Sequence, residues 1–453
     1  MAVDPSHNLG DQLKTRRDWH QHVWSLSWPV ILANVTVPLV GLVDVVVLGR
    51  SPDPIYIAAV AMGAAMFNAV YWLFGFLRMG TTGLSAQAYG RRDMDEVAAI
   101  FVRAIAVAIG LGLLIVALQS PLVTLLLSLF QPSAELGALS TQYYDIRVWG
   151  APAMLIHFVE LGILFGLQRM TYTLYLSVGL NLTNLILDVV FVIGLDMGVP
   201  GVAMGTVISE WGAAGFGLFL VLRALSQINA NVARDALSDA QALLAFFSIG
   251  GNLIIRTFFV QLPFFAGTVL ATRLDETTLA LHGVLMQLFF VMTYTLDAFA
   301  HSAETLTGYF YGAKDAIKLR LAAIYSTVWG GGLAVIQGLV YLVFGTVFVS
   351  LMTESIEIQN SSQMYMGWVA LAPILCVGAF LLDGIFIGTT HIKEMRNAMI
   401  ISTVIWAAVL ALTFSSYQYH AVWFCMNLFM LTRTILLGWQ YPKIERAAGV
   451  SSG

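Results

Sequence analysis

The chain has 453 residues, 58% hydrophobic and 11% charged, with a mean hydropathy of +0.81 and a formal net charge of -4. Soluble domains carry about 25% charged residues, so this composition excludes a soluble globular protein and indicates a polytopic membrane protein. No basic patch interleaved with aromatics is present, which excludes a nucleic-acid partner.

Taken in chain order, residues 1–22 form a polar segment. Its Lys14, Arg16 and Arg17 lie too far from a short apolar core to make a signal peptide. Apolar runs long enough to cross a bilayer follow at 22–49, 55–88, 95–129, 137–167, 171–194 and 199–225. A second set lies at 240–271, 277–311, 316–351, 360–389, 395–415 and 418–440. The expected fold class is therefore an all-α membrane protein with twelve spans. The expected domains are a cytoplasmic segment 1–22, a first lobe 23–225, a linker 226–239, a second lobe 240–440 and a tail 441–453.

Lys and Arg set the orientation. Arg91 and Arg92, Arg169, Arg223 and Arg234, Lys314, Lys318 and Arg320, Lys393 and Arg396, and Lys443 and Arg446 occupy alternate connections. The opposite connections hold Arg50 and Arg273 beside acids such as Asp53, Asp275 and Glu354. The positive-inside rule puts both termini in the cytoplasm.

The halves repeat. Gln87-Ala-Tyr-Gly-Arg-Arg-Asp93 matches Tyr309-Phe-Tyr-Gly-Ala-Lys-Asp315, with Gly312 lying 222 residues after Gly90. The same offset relates Gly162 to Gly384 and Gly166 to Gly388. Because each repeat has an even number of spans, the two share orientation and relate by a pseudo-two-fold axis along the membrane normal.

Charges inside spans are the functional signal. Asp44 lies in an apolar run, with Pro38 and Gly41 loosening the helix before it. A carboxylate at mid-membrane costs about 2.5–3.5 kcal/mol, so it marks an ion or substrate path. In span 5, Asn181, Asn184 and Asp188 share one helical face. Span 8 offers Asp297, His301 and Glu304 at spacings of four and three, span 10 Asp383, and span 7 Arg256 and Gln261. Span 4 adds Arg147 and Glu160, and an Arg147 partner for Asp188 would make the latter a structural ion pair. Cys376 and Cys425 fall in apolar runs and read as inert packing residues.

No His-Glu-x-x-His, phosphate loop or metal-spaced Cys/His cluster occurs, so neither an enzyme nor a cofactor is expected. Asn181-x-x-Asn-x-x-x-Asp188 weakly suggests a membrane prenyltransferase, but a second aspartate cluster to hold magnesium is missing.

Pro38-Leu-Val-Gly-Leu-Val-Asp-Val-Val-Val-Leu-Gly49, Arg78-Met-Gly-Thr-Thr-Gly-Leu-Ser-Ala-Gln-Ala-Tyr-Gly90, Leu381-Leu-Asp-Gly-Ile-Phe-Ile-Gly-Thr-Thr390 and Asp297-Ala-Phe-Ala-His-Ser-Ala-Glu304 resemble the multidrug and toxic compound extrusion (MATE) family. They are most similar to its DinF (DNA-damage-inducible protein F) branch. The resemblance implies two six-helix lobes around a central cavity and export of amphipathic or cationic compounds against a proton or sodium gradient. It implies a first-lobe cation site of Asp44, Asn184, Asp188, Thr206 and Tyr143 (Tyr144 being the alternative). Asp383 matches a second-lobe acid of some branches, whereas their span 7 acid has no counterpart here.

The sequence thus reads as a proton-coupled efflux antiporter of the bacterial cytoplasmic membrane. Sodium at Asp44, Asn184, Asp188 and Thr206 is the alternative coupling ion. A lipid-linked precursor flippase is the alternative function.

Overall fold

The structure is a computed structural model that describes residues 9–48, 55–231, 236, 237 and 239–449. For residues 37–48 only the backbone is described, so the side chains of Pro38, Gly41 and Asp44 lie outside the described residues, as do Arg50, Asp53 and Arg234.

Among the described residues, eleven helices are long and apolar enough to cross a membrane: Ile55–Gly90, Met94–Ala117, Ala134–Gly166, Met170–Gly194, Gly198–Gln227, Ala240–Leu274, Glu276–Gly312, Ala316–Met352, Ile356–Gly388, Ile392–Tyr417 and Tyr419–Gly449. They are spans 2 to 12. Arg16–Leu48 is span 1. No strand occurs among the described residues. The expected boundaries hold to within a few residues, with two informative differences. Span 3 breaks at Leu118 before a separate helix, Gln119–Phe130. Span 12 carries Pro442 inside it and runs on to Gly449, because Ile444 and Ala448 are buried and Glu445 pairs with Arg320.

The chain divides into two compact units, one from Pro29 to Phe247 and the other joining Ser248 onward to span 1 as far as Trp28. In the latter, Trp19 stacks on Tyr325 with ring centroids 5.6 Å apart, and Ser27 hydrogen-bonds Ser302 at 2.7 Å.

The sequence repeat is a repeat of packing. In the first unit Gly162 lies against the backbone of span 2, where an added Cβ would come within 2.7 Å of the Arg78 carbonyl oxygen. In the second, Gly384 lies against the Ala300 carbonyl, the position 222 residues after Arg78. Gly166 meets Ser85 and Gly388 meets the Glu304 carbonyl one turn further on. Small residues let helices approach closely in a bilayer, where lipid supplies no hydrophobic drive for association.

The helix ends repeat as well. Asp93 accepts from the Glu96 amide at 3.1 Å and Asp315 from the Lys318 amide at 3.0 Å. Arg92 and Lys314 take positive φ of 61° and 55° at matching turns, as do Gln168 and Thr390 at 60° and 56°.

Candidate coupling site of the first unit

Span 5 holds a polar face for physical reasons visible in its neighbours. Asn184 and Asp188 are buried, at 7% and 0% exposure, and both point toward span 6. The Asn184 amide donates to the Thr206 hydroxyl at 3.3 Å. Gly205 removes the side chain that would otherwise occupy the Asp188 carboxylate position, a Cβ there falling 2.5 Å from Oδ1. Immediately after Asp188 the helix widens over Val189–Gly194, where the Leu195 N–H donates to the Val190 carbonyl five residues back at 3.0 Å. Such π-type turns inside helices concentrate at functional sites. Nothing in the composition of span 5 signals this widening.

Asn181, one turn before Asn184, donates to the Thr36 hydroxyl of span 1 at 2.6 Å. Asp44 follows Thr36 by eight residues on span 1, and Asp188 follows Asn181 by seven on span 5. At about 1.5 Å rise per residue, the backbones of Asp44 and Asp188 stand roughly 10–12 Å along their helices from the hydrogen bond.

Arg147 is not the partner of Asp188. Its guanidinium forms two hydrogen bonds to Glu210, at 2.7 and 2.6 Å, with both residues buried. Nη1 also meets the Tyr71 hydroxyl at 3.3 Å, and the guanidinium lies over the Phe67 and Tyr71 rings at 5.0 and 5.6 Å. Tyr143 is buried one turn before Arg147 and packs against Gly63. Its phenol lies near enough to Arg147 and Tyr71 to interact electrostatically with both. Glu210 stands one turn after Thr206 on span 6, so the Arg147–Tyr71–Glu210 group continues the Asn184–Thr206–Asp188 face.

Sequence reasoning missed Glu210 and Tyr71. Arg147, charged within an apolar run, called for an acidic partner, but the sequence offered several acids within spans and did not single out Glu210. Glu160 is also buried, with its carboxyl against Gly217 of span 6.

The second unit separates its polar residues into two groups. His301 Nδ1 lies 3.1 Å from Glu304 Oε2 within span 8, and Asp297 stands one turn before His301. Asp383 of span 10 instead accepts from both Arg256 of span 7 and Arg433 of span 12. Arg433 was not foreseen. Cys376 and Cys425 are both free and buried. Among the described residues, no group of three or more His, Cys, Asp or Glu converges as a metal site.

Comparison with known proteins agrees with this architecture. The MatE family profile matches residues 29–190 and 253–413. The chain is 36% identical over 418 residues to the DNA damage-inducible protein F of Escherichia coli K12, covering 92% of this chain and 90% of that one. It is 23% identical over 227 residues to the multidrug export protein MepA of Staphylococcus aureus, covering 49% of each. The outward-facing structure of a multidrug resistance MATE family transporter superposes with a TM-score of 0.86 at 19% identity, covering 95% of this chain and 96% of that one. With two thirds of its length matched by the family profile and a close DinF relative across nearly all of it, the chain belongs to the MATE family of membrane transporters, in its DinF branch.

Proposed function

We propose that this protein is a proton-coupled antiporter that exports amphipathic or cationic compounds across the bacterial cytoplasmic membrane, with both termini in the cytoplasm. The supporting observation is the register of spans 1 and 5. The Asn181–Thr36 bond pins two helices that run in the same direction, so Asp44 and Asp188 come to similar depth. Asn184 and Thr206 then supply amide and hydroxyl groups at that level.

Two carboxylates at one depth in a low-dielectric interior repel when both are ionised, so one proton is readily held between them. Protonation relieves that repulsion and favours one arrangement of spans 1, 5 and 6. Loss of the proton restores a negative site that attracts a cationic substrate. Proton and substrate thus compete for the same charge, which is the requirement for exchange.

Arg147 and Glu210 form a neutral, internally matched pair, which keeps the arginine from neutralising Asp188. In the second unit, two guanidinium groups already occupy Asp383, which disfavours sodium there and leaves coupling to the first unit. Dye efflux from proteoliposomes under an imposed pH gradient, in sodium-free buffer, tests the reading. Efflux that requires sodium and ignores the pH gradient would overturn it.

A further inference from the structure

Spans 9, 10 and 12 of the second unit enclose a groove of about 570 Å³. Ile324 and Val328 of span 9 and Leu382 and Ile385 of span 10 make its walls apolar. Arg320, Tyr441 and Glu445 line it at one end, where span 9 begins and span 12 ends. Gly438 of span 12 keeps the groove open, since a Cβ there would meet nothing nearer than Leu382 Cδ1 at 4.0 Å. Arg320, Ile324 and Val328 are spaced four and four, so they follow one helical face over about 12 Å.

The groove opens toward lipid. Ile324 and Val328 are 47% and 54% exposed on a membrane-spanning helix, where hydrocarbon and not water surrounds them. An empty gap there would forfeit dispersion contacts, so an acyl chain fills it.

The charged end selects which lipid. Arg320 Nε donates to Glu445 Oε1 at 2.8 Å, and Nη2 donates to Oε2. The pair is not level: the Glu445 side chain is 13% exposed and that of Arg320 64%. The carboxylate is therefore sheltered while the guanidinium stands outward, and its Nη1 finds no acceptor among the described residues. Free guanidinium donors match the geometry of a phosphate. A Cβ at Gly449 would lie 3.6 Å from that of Ala316, so the two helix ends adjoin. Together they carry Lys314, Lys318, Lys443 and Arg446 besides Arg320, against only Asp315 and Glu445. Basic pockets between spanning helices at a membrane surface recruit anionic headgroups. Tyr441 adds a ring of the kind that settles at headgroup depth.

We infer that this groove is a binding site for one anionic phospholipid, whose phosphate meets Arg320 and one of whose acyl chains lies along Ile324, Val328, Leu382 and Ile385. Glu445 is a positioning residue that holds the guanidinium at the mouth. The lipid is a resident of the second unit and not cargo.

The test mixes purified full-length protein, in neutral maltoside detergent, with equal amounts of dioleoyl phosphatidylglycerol and dioleoyl phosphatidylcholine. Native mass spectrometry then counts the lipid retained. No ion gradient or cargo enters the measurement, so failure of proton coupling does not affect it. The expected result is one phosphatidylglycerol retained at least about fivefold in excess of phosphatidylcholine. Arg320→Gln should bring that ratio close to one. Gly438→Leu, which fills the groove and leaves every charge in place, should lower phosphatidylglycerol retention several-fold. Lys443→Gln, outside the groove, should keep the one lipid bound. Equal retention of the two lipids by the wild type would overturn the inference, as would a ratio unchanged in Arg320→Gln. Loss in Arg320→Gln with Gly438→Leu unaffected would leave a surface charge without a groove, and overturns it too. Soluble glycerol 3-phosphate separates the lipid from a free phosphate; displacement of phosphatidylglycerol by it at equal concentration would also overturn the inference.

Discussion

Asn181 and Thr36 hold spans 5 and 1 in register through a 2.6 Å hydrogen bond between their side chains. Thr36 also donates to the Ala33 carbonyl at 2.7 Å, so its lone pairs face Asn181 in a fixed direction. The bond lies about two turns before Asp44 on span 1 and Asp188 on span 5.

Removing that bond should disturb coupling without unfolding the protein. A typical net hydrogen bond contributes about 0.5–1.5 kcal/mol. Asn181→Ala and Thr36→Ala should each lower proton-driven efflux several-fold, with expression near wild type. The double variant should be little worse than either single one, because both remove one interaction. Additive losses in a dye-efflux assay would show that the residues act separately.

The repeated glycines differ in what opposes them. Gly388 faces the Glu304 carbonyl, which is backbone, whereas Gly166 faces the Ser85 hydroxyl, the tip of a side chain that can turn away. Overpacking costs about 1–3 kcal/mol when neighbours cannot yield. Gly388→Ala should therefore lower the thermal midpoint of the detergent-solubilised protein more than Gly166→Ala does. The reverse order would mean that span 10 can shift away from span 8.

Arg147 and Glu210 should behave as a buried pair. Breaking it from one side leaves an uncompensated charge and costs on the order of 3–5 kcal/mol. Glu210→Gln should thus reduce the yield of folded protein sharply. The paired substitution Arg147→Met with Glu210→Met should recover much of the thermal midpoint, because it removes both charges together. No recovery would assign one of the two a role beyond pairing.

The sequence showed the spans clearly because hydrocarbon imposes length and composition on every crossing helix. The repeat was legible for the same reason: Gly162, Gly166, Gly384 and Gly388 mark close approaches between helices. Pairings across helices were less legible. Arg147 invited an acid but could not name Glu210, and Asp383 gave no hint that Arg433, fifty residues on, would share it with Arg256. Such partners depend on how helices rotate against one another, and periodicity along a single helix does not encode that. The turn Val189–Gly194 was silent too, since a π-type widening has no composition of its own.

If Asp44 and Asp188 act as one proton-linked unit, as proposed, their substitutions should not be additive. Wild-type, Asp44→Asn, Asp188→Asn and double-variant proteins would be reconstituted in sodium-free proteoliposomes, and cationic dye efflux followed after an imposed pH jump. Wild-type protein should move dye. Each single variant should lose transport while keeping its fold, and the double variant should be no worse than either, because residues acting as one unit are non-additive. Full proton-driven efflux by Asp188→Asn, or transport restored to every variant by sodium alone, would contradict the account.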